Sequence, residues 1–140
     1  MSRCGCILYR PRYNDFLVVK QAKSGYLGFP KGGSLNGEDS RKCAQRETFE
    51  EVGIIVPIKV LNQSIAFTTP SGYLYYLVNT DLIGDYKCVI DGVEIVDFHW
   101  MSLYEISTLK ESCMSWSTWQ VLFMLKLVFL FAGFGSGRYY

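Results

Sequence analysis

The sequence predicts one mixed α/β domain in which helices cover a central β-sheet. The length of 140 residues is usual for a single domain, and 49% of the residues are hydrophobic, which suffices for a buried core. Strand-like runs alternate with two principal helical segments, as in layered α/β folds. We therefore expect a single domain over residues 1–132 and a flexible tail over residues 133–140, whose glycines favour fraying.

A β-hairpin is expected at the amino terminus. The apolar runs Cys4–Tyr9 and Phe16–Val19 are separated by a segment that contains Pro11 and the pair Asn14-Asp15, which favour a turn. Residues 24–37 are rich in glycine, which predicts a loop.

The first helix is expected from Glu38 to Val52. Its acidic start, Glu38-Asp39, suits the positive end of a helix dipole. Gly53 suits the C-cap, where a left-handed backbone is common.

The rest of the chain predicts further strands and two helices, because β-branched and aromatic residues concentrate in several runs. The expected strands are Ile54–Val60, Ser64–Thr69, Gly72–Val78 and Glu94–Met101, and the expected helices are Leu103–Leu109 and Trp116–Phe131. We expect Tyr73, Tyr75 and Tyr76 to lie in the core, with base stacking as the alternative, and His99 and Trp100 to be packing residues.

The carboxy-terminal run Val121–Phe134 is apolar except for Lys126 and Gly133. It is shorter than the roughly 20 residues that a membrane-spanning helix needs. We expect a buried helix that covers one face of the sheet and no stable membrane association, and membrane attachment is the alternative.

Composition excludes several kinds of protein. A formal charge of +1 does not provide the broad basic surface that non-specific nucleic-acid binding requires. The five cysteines are odd in number and follow no signal-like apolar run, so we expect reduced thiols in an intracellular, cytoplasmic protein. A single histidine and the cysteine spacing speak against a zinc site.

Three glutamates share one face of the first predicted helix. Glu47, Glu50 and Glu51 are spaced i, i+3 and i+4, so their like charges repel unless a cation lies between them. Hard carboxylate oxygens select Mg²⁺ or Mn²⁺ over zinc, and magnesium in proteins often also contacts substrate phosphates. Arg46 is spaced to pair with Glu50. On the side away from the acidic face, Thr48, Phe49 and Val52 are expected to pack on the sheet.

The segment from Gly32 to Ile54 resembles the Nudix box, with only Thr48 less bulky than the family pattern. The seven fixed letters stand at Gly32, Glu38, Arg46, Glu47, Glu50, Glu51 and Gly53. Chance agreement has a probability on the order of 10⁻⁶ from average residue usage. The resemblance implies a Nudix-type α/β/α sandwich with a mixed sheet, and a pyrophosphohydrolase that uses Mg²⁺ or Mn²⁺, with more than one ion per site.

The same resemblance implies roles for particular residues. The metal ligands would be the Gly32 carbonyl and the carboxylates of Glu47, Glu50 and Glu51, with Glu38 in support. The catalytic residues would be Glu47, Glu50, Glu51 and Glu94, with the general base sought first at Glu51 or Glu47 and then at Glu94. The substrate-binding residues would be Lys31 and Arg46.

The loop Gly28-Phe29-Pro30-Lys31-Gly32 is similar to that of messenger-RNA decapping enzymes and of some dinucleoside-polyphosphate and diphosphoinositol hydrolases. The expected partner is a nucleotide-type substrate, first the 5′ cap of capped RNA. The alternatives are a dinucleoside polyphosphate, a diphosphoinositol polyphosphate or a nucleoside triphosphate, or a non-catalytic nucleotide-binding module. The sequence leaves the oligomeric state open.

Overall fold

The computed structural model of the protein describes residues 2–131, so the expected tail over residues 133–140 lies outside the described residues. The strands are β1 (Arg3–Arg10), β2 (Asp15–Gln21), β3 (Leu27–Gly28), β4 (Lys31–Gly33), β5 (Ala66–Thr68), β6 (Tyr73–Asn79) and β7 (Ile95–Ser102). The helices are α1 (Ser40–Val52), α2 (Ile58–Asn62), α3 (Leu103–Ser107) and α4 (Trp116–Phe131).

These strands form one mixed seven-stranded sheet. Its main path runs β3-β2-β1-β6-β5, while β4 pairs with β1 and β7 pairs with β2. The pairing of β1 with β6 is parallel, and the other pairings are antiparallel. The predicted hairpin is present as β1 and β2, which meet at Tyr9 and Phe16.

Alternation along the strands directs side chains to two separate cores. On one face, Cys6 and Leu8 of β1 pack with Ala44 of α1. On the other face, Ile7 of β1 packs with Leu125 of α4. Helices therefore cover both faces of a mixed sheet, and the predicted α/β/α sandwich is confirmed.

Helix α1 begins two residues later than expected, because the Asp39 side chain accepts from the backbone N–H of Arg41 as the N-cap. It ends as expected at Gly53, whose φ of 70° is left-handed. The prediction that Phe49 packs on the sheet is wrong, since this side chain is 51% exposed. The buried side of α1 is formed by Ala44, Thr48 and Val52 at i+4 spacing, and Phe49 lies about 100° away from it.

The predicted strand Ile54–Val60 is also wrong. Only residues 58–62 are regular, and they form α2, which begins after Pro57. Ile54 and Val56 are buried as a strand pattern would require, but the Val56 carbonyl accepts from the Gln45 side chain at 2.8 Å. That carbonyl is satisfied by α1 instead of by a strand neighbour.

Helix α4 has the predicted bounds and covers one face of the sheet as predicted, but its outer side is exposed. Val121, Leu125 and Phe129 face the sheet and are buried, whereas Phe123 and Leu130 are exposed. A helix on one face of a sheet can bury only one side of its circumference. Within residues 2–131, the structure contains no helix that is long and apolar enough to cross a membrane. The end of the predicted apolar run lies outside the described residues.

Candidate active site

The glycine-rich loop lies directly against the acidic face of α1. Strand β4 pairs with the start of β1, with Cys4 opposite Gly32. Gly32 in turn faces the Glu47 carboxylate so closely that a Cβ on Gly32 would overlap it. A side chain is therefore excluded at position 32, and the backbone of the loop and a carboxylate of the helix share one small space.

Arg46 organises the carboxylates at this place. Its guanidinium binds both Oε atoms of Glu38 at 2.9 Å and donates to Glu47 at 2.8 Å and Glu50 at 3.0 Å. It also donates to the Gly33 carbonyl at 2.9 Å. These bonds raise the pKa of Arg46 and hold the pKa of Glu38 at about 2. Arg46 pairs with Glu50 as expected and also joins the loop to the helix.

Glu51 is partly buried, at the end of α1 that lies beside Lys31. Burial raises its pKa to about 8, against the opposing charge of Lys31. Its Oε1 accepts from the Lys31 backbone N–H at 3.3 Å. Glu51 and Glu94 line one cavity of about 480 Å³ together with Lys23, and Glu94 contributes to the raised pKa values of Glu47 and Glu51. The structure thus places the predicted extra acid next to the box glutamates.

The donor atoms at this place suit a hard divalent cation. Carboxylate oxygens and the Gly32 carbonyl are the ligand types that Mg²⁺ and Mn²⁺ prefer, and Gly32 leaves no side chain in the way. Among residues 2–131, no three His, Cys, Asp or Glu side chains are already grouped as a metal site. Part of the reason is that the Arg46 guanidinium binds oxygens of Glu47 and Glu50. The donor chemistry fits the cation, and ligand geometry would require these side chains to turn.

Two cations lie on the other side of the loop, around one aromatic ring. Arg3 Cζ is 5.6 Å and Lys31 Nζ is 6.0 Å from the centroid of the Tyr73 ring. Within the described chain neither Arg3 nor Lys31 makes an ion pair. Burial lowers the pKa of Lys31 and the charge of Arg3 adds to this, while the carboxylates of Glu51 and Glu47 oppose the shift. Like charges held this close favour a bound anion. The Phe-Pro-Lys-Gly loop predicts a role for Lys31 but no local pattern predicts one for Arg3, because the pairing of β1 with β6 is not visible in the sequence.

The other aromatic predictions have mixed outcomes. Tyr75 and Tyr76 are buried core residues as expected, while Tyr73 is only partly buried. Trp100 packs against the core and under Arg10, at 4.1 Å. The prediction that His99 packs inside is wrong, since it is exposed and pairs with Asp97, with which it shares one face of β7.

The model of the NUDIX domain matches residues 1–121 of this sequence. The chain belongs to the NUDIX family. The match covers most of the chain and the complete box, and the prediction of a Nudix pyrophosphohydrolase is confirmed at this level. A search of curated proteins finds no significant match.

Solved structures share the fold of this NUDIX protein at low sequence identity. An Ap4A hydrolase from C. elegans, crystallised as a binary complex, superposes with a TM-score of 0.69 and 19% identity, over 94% of this chain and 99% of that chain. The NUDIX domain of Shewanella oneidensis NrtR, in complex with ADP ribose, gives a TM-score of 0.66 and 14% identity, over 91% and 86%. A bifunctional NMN adenylyltransferase/ADP ribose pyrophosphatase from Francisella tularensis, in complex with AMP and Mn, superposes with a TM-score of 0.65 and 19% identity. The match covers 90% of this chain and 41% of that chain. At these identities the likeness establishes the fold.

Proposed function

We propose that this NUDIX chain is a divalent-metal-dependent hydrolase of dinucleoside polyphosphates. The observation that carries the proposal is the separation of charge across the Gly32 loop. Glutamates of α1 lie on one side and Arg3 and Lys31 lie around Tyr73, with Lys31 also close enough to Glu51 for their charges to interact. A long phosphate chain needs both, because a metal neutralises the diphosphate that is cleaved and cations neutralise the remaining phosphates.

Each group has a defined task in this proposal. The metal would be held by the Gly32 carbonyl and by Glu47, Glu50 and Glu51, and would supply Lewis-acid stabilisation and an activated water. Glu51 is our first candidate for the general base and Glu94 the second, because they line one cavity. Besides any contact with the substrate, Arg46 positions the carboxylates.

Arg3 and Lys31 would bind the phosphates that lie beyond the cleaved bond. Both are close to the Tyr73 ring, so a phosphate beside that ring is within reach of either cation. A two-phosphate substrate such as ADP-ribose has no such additional phosphate. The structural likeness to an Ap4A hydrolase over nearly its full length supports the same substrate class.

Capped RNA, the first expectation from the sequence, receives less support. An RNA body would need a basic track for its backbone. The exposed side of α4 instead presents Trp116, Phe123 and Leu130, and Lys126 is the only charged residue of that helix. The structure therefore favours a compact substrate over a long one.

A substrate panel with Mg²⁺ tests the proposal directly. We expect diadenosine tetraphosphate to be cleaved with a higher kcat/KM than capped RNA, a nucleoside triphosphate, a diphosphoinositol polyphosphate or ADP-ribose, and excess chelator to abolish turnover. Arg3→Gln should lower kcat/KM about tenfold on the tetraphosphate and little on ADP-ribose, because one charge-assisted contact is lost.

Lys20→Gln serves as the control, since Lys20 is an exposed cation on β2 outside the Tyr73 cluster. A chain that prefers long capped RNA, with a steep loss of rate in salt, would return the assignment to decapping. An equal effect of Arg3→Gln on tetraphosphate and diphosphate substrates would remove Arg3 from the substrate site.

A further inference from the structure

The outer side of α4 carries a continuous apolar stripe. It consists of Trp116, Trp119, Phe123, Leu127 and Leu130, whose exposed fractions range from 38% to 66%. With about 100° per residue, all five fall within a sector of roughly 80° on the helix surface. They lie away from Val121 and Leu125, which pack on the sheet. The stripe is therefore a second helix face that no described part of the chain covers.

The spacing of the stripe is symmetric about its central residue. Trp116 and Leu130 are each seven positions from Phe123, and Trp119 and Leu127 are each four positions from it. Two such helices, packed antiparallel around a two-fold axis at Phe123, would place each tryptophan opposite a leucine and the two Phe123 rings opposite each other. Two-fold association requires this kind of self-complementary patch. A large ring facing a smaller side chain also allows the two surfaces to interdigitate.

The area of the stripe also fits contact with a second copy of this chain. Its five side chains expose on the order of 500 Å² of apolar surface, near the upper end for the largest patch of a monomer. Two copies would bury about 1,000 Å², close to the lower limit for specific protein interfaces. The side chains flanking the stripe would add to this area.

We propose that two copies of this chain associate through the α4 stripe as an antiparallel, two-fold symmetric helix pair. Lys126 is the only charged residue on α4, so the helix lacks the several basic groups with which amphipathic helices bind anionic membranes. The box glutamates lie on α1, across the sheet from α4, so the acidic half of each proposed site would lie away from the helix pair.

Sedimentation of the full chain tests the proposal. We expect wild type to show a concentration-dependent monomer–dimer equilibrium, and Phe123→Glu to be monomeric because two carboxylates would meet on the axis. Phe123→Lys should also be monomeric, because two like-charged ammonium groups would meet there. A mixture of the two variants should recover a one-to-one dimer, which an interface elsewhere would not produce. Ile55→Glu is the matched control, since Ile55 is 63% exposed beside buried residues of the α1 core.

Circular dichroism establishes that each variant is folded. Should Phe123→Glu lose its helical signal, Leu130→Gln replaces it, and a weaker dimer is then expected. A wild-type chain that stays monomeric at all concentrations overturns the proposal, as does a Phe123→Glu chain that remains dimeric. Binding of monomeric wild type to phosphatidylcholine–phosphatidylserine vesicles, abolished by Phe123→Glu, would identify a membrane as the occupant and would also overturn it.

Discussion

Helices α1 and α4 cover opposite faces of one sheet and use opposite kinds of side chain. Helix α1 buries small residues such as Cys43 and Ala44, whereas α4 buries larger ones such as Leu125 and Phe129. The small residues let α1 lie close enough to the sheet for Glu47 to reach the Gly32 backbone. The α4 side supplies a large share of the apolar burial. The comparison suggests that substitutions on the α1 side reduce activity first and those on the α4 side reduce stability first.

The largest expected effect separates the two helices directly. Glu51→Gln should lower kcat by roughly 10³-fold or more, because it removes a proposed ligand and a candidate base while it preserves the side-chain volume. Leu125→Ala on α4 should instead lower the free energy of unfolding by about 2–5 kcal/mol through the cavity it leaves. Steady-state kinetics and urea unfolding, measured on both variants, provide the comparison.

Glu111→Gln, at an exposed position before α4, is the control for the glutamate substitution. Near-normal turnover by a folded Glu51→Gln chain would place the metal site elsewhere. A Leu125→Ala chain that loses turnover while it is fully folded would contradict the assignment of activity to the α1 side and of stability to the α4 side.

Two glycines of one loop sharpen the comparison at shorter range. A Cβ at Gly32 would overlap the Glu47 carboxylate, so Gly32→Ala should lower kcat/KM by about 10²-fold. A Cβ at Gly28 would come within 2.5 Å of the Ser115 hydroxyl and 2.7 Å of the Thr118 hydroxyl. Gly28→Ala should therefore push α4 outward and lower the free energy of unfolding by about 1–3 kcal/mol. Steady-state kinetics and urea unfolding of both variants test this expectation. It would be contradicted if Gly32→Ala mainly lowered stability and Gly28→Ala mainly lowered kcat/KM.

The sequence was sufficient wherever the signal was local. The spacing of the glutamates, Gly53 at the C-cap and the apolar run of α4 located two helices to within two residues. Each of these signals acts within a few turns of one helix. Local patterns also predicted Ile54–Val60 as a strand, which was wrong. The Val56 carbonyl instead accepts from the Gln45 side chain, and α2 begins after Pro57.

Long-range pairing accounts for what the sequence did not predict. Arg3 and Tyr73 are about seventy residues apart, and only the parallel pairing of β1 with β6 places them side by side. Lys31 reaches the same ring because β4 adds to the start of β1. The acidic half of the proposed site was visible as a motif. The basic half depends on strand register, which the sequence does not encode locally.

Acid should weaken the α1 side through Glu38. Its hydrogen bonds to Arg46 lower its pKa from an ordinary 4.5 to about 2. The stabilisation is therefore present above pH 4.5 and is lost as the pH falls through about 2. Glu38→Gln should lower the urea midpoint at neutral pH and flatten its decline in that acidic range. Glu111→Gln should follow the wild-type profile, and a Glu38→Gln profile that is parallel to wild type would show that this pair contributes nothing.

The smallest expected effect compares buried hydroxyl groups on the two helices. On α4, the Thr118 hydroxyl accepts from the Phe29 backbone N–H at 3.2 Å and from the Ser115 hydroxyl at 2.8 Å. On α1, the buried Thr48 hydroxyl has no oxygen or nitrogen partner within the described chain, and only the Cys6 thiol, a weak hydrogen-bonding group, lies beside it. A buried hydroxyl without a partner destabilises the folded state, whereas removal of a bonded hydroxyl leaves its donors unsatisfied.

Valine replaces the hydroxyl with a methyl group of similar shape and therefore isolates this difference. Thr118→Val should lower the free energy of unfolding by about 1–3 kcal/mol, because the Phe29 N–H loses its acceptor. Thr48→Val should raise it by about 1 kcal/mol, since threonine and valine have similar helix propensities and only the unsatisfied group is removed. Urea midpoints at constant slope measure both changes. A loss of stability in Thr48→Val would mean that the Thr48 hydroxyl makes a stabilising hydrogen bond. The buried hydroxyl groups of α1 and α4 would then behave alike.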